Sequence, residues 1–286
     1  MIDRCLTDDE LWRLIRDDVP HGDLTTRALG IGSRPGRMVF LARRPMVVCC
    51  VEESARMIEL AGCAVERHAD GGDELVAGQI LLTATGSAAA LHRVWKTAQT
   101  LIDYASGIAT ATAAIVTAAR SESRTAVVAC TRKTAPGTKA IAAKAVRDGG
   151  GEMHRLGLSE TLLVFPEHRC FFDEREMTGY LGYLRECCPE HRVVVEVIDA
   201  DQAVVAARGG AEILQLEHFS PEAVAALAVR LRDEGLIVRL AAAGGVNTAN
   251  SAAFVRAGAA ILVTSAPYSA PPQQIKVVIE PADVPV

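Results

Sequence analysis

The chain has 286 residues, half of them hydrophobic and only 4% aromatic, enough for one large core or two smaller ones built from Ala, Val, Leu and Ile. Its formal net charge of −5 argues against a nucleic-acid binder held by phosphate contacts. The eight cysteines show no C-x-x-C spacing that would signal a zinc or thioredoxin-like site, and with no apolar signal region in Met1-Ile2-Asp3-Arg4 and no membrane-length apolar run, a cytoplasmic protein is expected.

Thr7-x-x-Glu10 is a capping-box pattern ahead of Leu11, Trp12, Leu14 and Ile15, and it predicts a first helix ended by Pro20-His21-Gly22-Asp23. Residues 37–41 and 46–51 read as strands separated by Arg43-Arg44-Pro45, and 52–61 as a helix closed by Gly62. Gly72-Asp73 and Gly78 mark a turn before a strand at 79–83, and a helix is expected from Ser87 to about Tyr104. Strands and helices do not strictly alternate in this stretch, which reads as α+β.

Beyond residue 108 the pattern changes. Strands at 125–130, 161–165, 193–198, 212–216, 237–242 and 260–263 are predicted, with helices at 109–120, 138–148, 173–186, 200–208, 221–234 and 248–257. Ser220-Pro221 is an N-cap followed by proline at the first helical position, and Gly235 and Gly258 end their helices. Repeated β-α alternation calls for a parallel sheet with crossover helices. No G-x-G-x-x-G follows a strand, so an α/β barrel is preferred, and an incomplete one, since a full barrel takes about 250 residues. The expected domains are 1–108, joined by the tail 270–286, and 109–269.

In such barrels the chemistry sits at the C-terminal ends of the strands. Those ends carry Arg132 and Lys133, Glu167-His168-Arg169, Glu196, Glu217-His218, Gly244-Gly245, and Thr264-Ser265. Arg and Lys suit phosphate and carboxylate oxygens. The Gly pair, before a helix starting near Thr248, lets backbone N–H groups approach a phosphate at the positive helix end, or is simply a turn. Glu196 and Glu217 suit Mg2+ or a cationic sugar centre; a structural ion pair is the alternative for Glu196. Between Arg132 and Arg155 lie six cations, Lys139 and Lys144 among them, against Asp148 and Glu152. This reads as a solvated helix face or as a site for a small anion. Gly149-Gly150-Gly151 is either a flexible loop or a place where a substrate meets backbone.

Thr131-Arg132-Lys133-Thr134-Ala135-Pro136-Gly137, followed by Gly149-Gly150-Gly151-x-x-His154-Arg155-x-Gly157-Leu158, resembles the nicotinate-nucleotide pyrophosphorylase (quinolinate phosphoribosyltransferase) family. Asp18-Val19-x-x-Gly22-Asp23-Leu24-Thr25-Thr26 is similar to that family's N-terminal signature, and Ser106-Gly107-Ile108-Ala109-Thr110 to its domain junction. Leu162 to Arg169 resembles its ModD branch, associated with molybdate transport. The resemblance implies an N-terminal α/β sandwich, an incomplete seven-stranded α/β barrel, and a homodimer in which one subunit's sandwich covers the other's barrel mouth. It implies substrate-binding roles for Arg132, His154, Arg155, Lys96 and Lys139, with Lys133, Glu196 and Glu217 in the catalytic centre. Glu196 and Glu217 would then hold Mg2+, and Gly244 and Gly245 the 5′-phosphate. The implied substrates are phosphoribosyl pyrophosphate and a small aromatic or heterocyclic acceptor.

The departures from the quinolinate enzymes concern the acid-binding half of the site. Trp95-Lys96-Thr97 stands where they carry Glu-Arg-Thr, Tyr104 where they carry Arg, and Phe165 where they carry Lys. Ala241-Ala242-Ala243-Gly244-Gly245 replaces Glu-Ala-Ser-Gly-Gly, and Glu217 replaces Asp. A buried dianion that loses a charged partner loses about a hundredfold or more in affinity. The sequence thus favours phosphoribosyl transfer to a ring nitrogen other than quinolinate's. The alternatives are a true quinolinate enzyme of NAD biosynthesis with Lys96 standing in for arginine, or a non-catalytic oxyanion binder.

Overall fold

The computed structural model describes residues 4–173 and 176–282. The first three residues of the chain, two residues of the helix expected at 173–186, and the last four of the tail lie outside the described residues.

The chain opens with α1 (Asp8–Asp18), α2 (Leu24–Ala28), β1 (Pro35–Ala42), β2 (Met46–Val47), α3 (Val51–Leu60), β3 (Ala64–Arg67), β4 (Glu74–Leu75) and β5 (Ile80–Ser87). It continues with α4 (Ala88–Arg120), β6 (Val127–Cys130), α5 (Lys139–Asp148), β7 (Glu152–Met153), β8 (Leu162–Val164), α6 (Pro166–Arg169) and α7 (Met177–Cys187). Then come β9 (Val193–Val197), α8 (Ala200–Arg208), β10 (Ile213–Glu217), α9 (Pro221–Asp233), β11 (Arg239–Ala243), α10 (Ser251–Arg256), β12 (Ile261–Thr264) and β13 (Ile275–Pro281).

Two compact units result. One draws on 1–113, 135–150 and 267–286, the other on 114–134 and 151–266. The segment 139–148, placed with the barrel from the sequence, groups with the first unit.

The first unit is built on an antiparallel sheet in the order β13-β1-β5-β3. Its apolar face buries Met38, Phe40, Leu81 and Leu82 against Ile58 of α3 and Leu91 and Ile102 of α4. The tail enters as β13, with Val278 opposite Val39. Thr7 and Glu10 form the expected capping box at α1. The Gly22-to-Thr26 signature contains a second cap, in which the Asp23 carboxylate accepts from the Thr26 N–H and starts α2.

Two sequence expectations change here. The break expected between Tyr104 and Ala109 is absent, and α4 runs unbroken for 33 residues. Gly107 serves close approach, since a Cβ there would stand 2.7 Å from the Pro271 carbonyl oxygen of the tail. This helix is long and apolar enough to cross a membrane. Its Leu91, Val94, Ala98, Ile102, Ala105 and Ala109, however, are packed in the core of the first unit. Gly149 likewise meets the Ala109 carbonyl and Thr112 of α4, so it packs tightly rather than forming a flexible loop.

The second unit is a seven-stranded parallel sheet in the order β7-β6-β12-β11-β10-β9-β8. The order ends on β7 and β8, which leaves an incomplete α/β barrel. Val193, Val195, Val197, Leu214, Leu216 and Leu262 pack one continuous core, as expected of strands covered by helices. The seventh strand, unassigned from the sequence, is the two-residue β7, paired in parallel with β6.

Candidate active site

Because all seven strands are parallel, their C-terminal ends share one rim. Each contributes to a cavity of about 670 Å³, within the range of small-molecule sites. Arg132, Lys133, His154, Arg155, Phe165, Glu196, Glu217, Gly244 and Gly245 all line it.

The cationic side comes from β6 and β7. Arg155 is only 7% exposed, yet it has no carboxylate partner among the described residues. Its guanidinium lies 5.5 Å over the Phe165 ring, a cation–π contact. Burial, and then the charge of Arg132, push its guanidinium below the ordinary range. Burial also lowers His154, helped by the charge of Arg155, which favours the neutral imidazole. Uncompensated positive charge in a concave, partly desolvated wall is a demand for an anion.

The acidic side comes from β9 and β10. These strands pair with Gln215 opposite Glu196, and alternation puts Glu217 on the same face as Gln215. Gln215 is buried, and its Nε2 donates to Glu196 Oε2 at 2.6 Å. Burial, and then repulsion from Glu217, raise the Glu196 carboxyl above its ordinary value, while the Gln215 hydrogen bond opposes the shift. Arg169 steadies the end of β9 by donating to the Glu196 carbonyl.

The third wall is the loop after β11. Gly244 and Gly245 have φ of +80° and +79°, a region that favours glycine. A Cβ on Gly244 would fall 2.7 Å from His218 Nδ1, whereas one on Gly245 would meet nothing within 4 Å. Asn247 and Asn250 both donate to the Gly245 carbonyl at 3.0 Å and tie the loop down. The helix expected from 248 begins only at Ser251, so the glycine pair belongs to this tied loop and not to a helix's first turn.

The basic stretch between Arg132 and Arg155 divides. Lys139 and Lys144 belong to the first unit, where Lys144 is buried between Glu52 at 3.4 Å and Asp148 at 3.1 Å. Lys96, also in the first unit, sits 4.0 Å over its neighbour Trp95 and donates to Gln99. Neither Lys96 nor Lys139 lines the cavity.

Sequence reasoning assigned no role to Gln215 or His218. Gln215 carried a signal, being a polar residue in an apolar strand, two positions before Glu217 and so on its face. His218 was marked only by its place at the end of that strand, since its left-handed φ of +59° and its 3.4 Å approach to Glu217 are products of the fold.

The N-terminal domain of the quinolinate phosphoribosyl transferases matches residues 23–106, and the C-terminal domain matches residues 108–278. The ModD protein of Rhodobacter capsulatus is 45% identical over 253 residues, covering 88% of this chain and 97% of its own. The carboxylating nicotinate-nucleotide pyrophosphorylase of Mycobacterium leprae is 31% identical over 264 residues, covering 90% and 91%. The crystal structure of NadC from Streptococcus pyogenes superimposes with a TM-score of 0.87 at 24% identity, over 97% of this chain and 99% of that one.

Proposed function

The chain belongs to the quinolinate phosphoribosyl transferase family, in its ModD branch, and from that premise we propose that it joins the phosphoribosyl group of phosphoribosyl pyrophosphate to the ring nitrogen of a small heterocycle. The C1–O bond to pyrophosphate breaks, its electron pair leaves with pyrophosphate, and a C1–N bond forms. The observation that carries the reading is the polarity of the cavity. Arg132, Lys133 and Arg155, without carboxylate partners among the described residues, stand on one side, and Glu196 and Glu217 on the other.

Each side has a task. Lys133 and Arg132 neutralise the departing pyrophosphate. Glu196 and Glu217 face the cationic sugar centre that develops as it leaves, so no side-chain nucleophile is needed. The Gly244-Gly245 loop gives the 5′-phosphate room to approach backbone. Holding donor and acceptor in line supplies the rest of the acceleration. Mg2+ fits the acidic wall, because Glu196 and Glu217 are hard oxygen donors whose mutual repulsion a divalent cation relieves. Held by Glu196 and Glu217, a bound Mg2+ would supply positive charge to help stabilise the leaving pyrophosphate.

On the acceptor side, Leu163, Phe165 and Val263 are apolar and Arg155 is the buried cation. That pairing suits a heterocycle with one acidic group better than a dianion. Lys96 and Lys139 enter this reading from a partner subunit, in a cytoplasmic homodimer. The molybdate context expected of the branch belongs to the same proposal.

Calorimetric titration of Mg2+-phosphoribosyl pyrophosphate, followed by pyrophosphate release with a panel of heterocyclic acids that includes quinolinate, tests it. Saturable donor binding and faster turnover with a monoacid support the reading. No binding at millimolar donor overturns it, and preferred turnover of quinolinate overturns the acceptor assignment.

A further inference from the structure

The first unit holds a second constellation that phosphoribosyl transfer does not use. Cys5, Cys50 and Glu53 are far apart or oddly spaced in sequence, yet their ligating atoms lie within 4.8 Å of one another. Cys50 and Glu53 are fully buried, and Cys5 is half-buried. Glu53 Oε1 accepts the backbone N–H of Cys5 at 2.7 Å, which pins the segment before α1 against α3. Its other oxygen, Oε2, is buried with no hydrogen-bond partner among the described residues. No Lys, Arg or His forms an ion pair with Glu53 among them; Lys144, whose charge reaches it, is already held by Glu52 and Asp148.

A fully buried carboxylate without a paired cation is costly, and it is retained where something else neutralises it. Backbone geometry adds a second sign. Cys50 occupies the left-handed region at φ +62° as the residue before α3, a position that glycine or asparagine fills more easily.

We propose that Cys5, Cys50 and Glu53 form a binding site for a borderline-soft divalent cation of the zinc type. Two thiolates and one carboxylate are a zinc donor set, and water completes the fourth position from the half-buried Cys5 side. Ligand atoms around a tetrahedral zinc stand roughly 3.5–4 Å apart, so a cluster within 4.8 Å closes by small side-chain rotations. Binding releases the thiol protons to solvent. The site joins the segment before α1 to the start of α3, so occupancy is expected to stabilise the first unit.

The test uses the full chain, stripped with chelator under reductant and titrated with Zn2+, and separately with Co2+ as an optical probe. The expected results are one zinc per chain, a sulfur-to-cobalt charge-transfer band, and a raised Tm. Cys5→Ala removes a half-buried ligand, so it leaves the metal-free Tm and donor binding unchanged while weakening zinc uptake by roughly a hundredfold or more. Zinc uptake of equal strength in Cys5→Ala, a cobalt spectrum without the thiolate band, or a Cys5–Cys50 disulfide in the native protein would each overturn the proposal.

Discussion

Lys144 and Arg155 come from the same basic stretch of sequence, and both are buried, but their surroundings are opposite. Lys144 is held between Glu52 and Asp148, and Glu52 also takes the Gly71 N–H at 2.7 Å. Burial opposes its charge, but Glu52, Asp148 and Glu53 together hold the ammonium well above the ordinary lysine value. Arg155 has no such partner and is held below its ordinary value by burial and by Arg132. A cation whose counter-charge is built into the fold is structure. A cation whose counter-charge is missing from the described residues, in the wall of a cavity, is expected to bind an anionic ligand. Composition and local charge density treat the two alike.

Breaking each region gives opposite readouts. The largest effect belongs to Lys144→Met, which removes the buried cation from Asp148 and leaves buried Glu52 with only the longer contact to Arg67 at 3.6 Å. It is expected to cost about 3–5 kcal/mol in urea unfolding, and a loss below about 1 kcal/mol would place the pair in solvent-like surroundings. Arg155→Met is expected to leave unfolding stability unchanged or improved while weakening substrate binding about a hundredfold, read by calorimetry. A smaller loss follows from Gly245→Ala. Its Cβ has open space but a left-handed backbone, so about 1–2 kcal/mol of strain is expected in thermal unfolding.

The smallest effect sharpens the acidic wall. Burial and Glu217 raise the Glu196 carboxyl in the folded chain, so the folded state holds that proton more tightly than the unfolded state does. Its stabilising contribution is complete below the ordinary glutamate value and is lost as pH rises through the raised one. In Glu196→Gln, Tm without metal is expected to lose this decline with pH, while Mg2+-dependent donor binding disappears. An unchanged pH profile would remove Glu196 from the desolvated wall.

Much of the barrel was readable because covered parallel strands are continuous apolar runs, and their C-terminal ends could be marked residue by residue. The elements that escaped have specific causes. β3 is short and mostly exposed, and β7 has two residues, so neither offers a period to detect. Gly107 looked like a helix break because a sequence does not reveal that Pro271 presses against it. The split of the basic stretch was equally hidden, since the Glu52 that neutralises Lys144 is distant in the chain. Gln215 was visible as a polar residue in an apolar strand, but its hydrogen bond to Glu196 depended on the register between β9 and β10.

Crystals soaked with Mg2+ and phosphoribosyl pyrophosphate test whether the residues of the rim gather around one donor. Density is expected with pyrophosphate against Lys133 and Arg132, the ribose facing Glu196 and Glu217, and the 5′-phosphate at Gly244-Gly245. A donor seated outside this rim, or with its pyrophosphate turned away from the cations, contradicts the account.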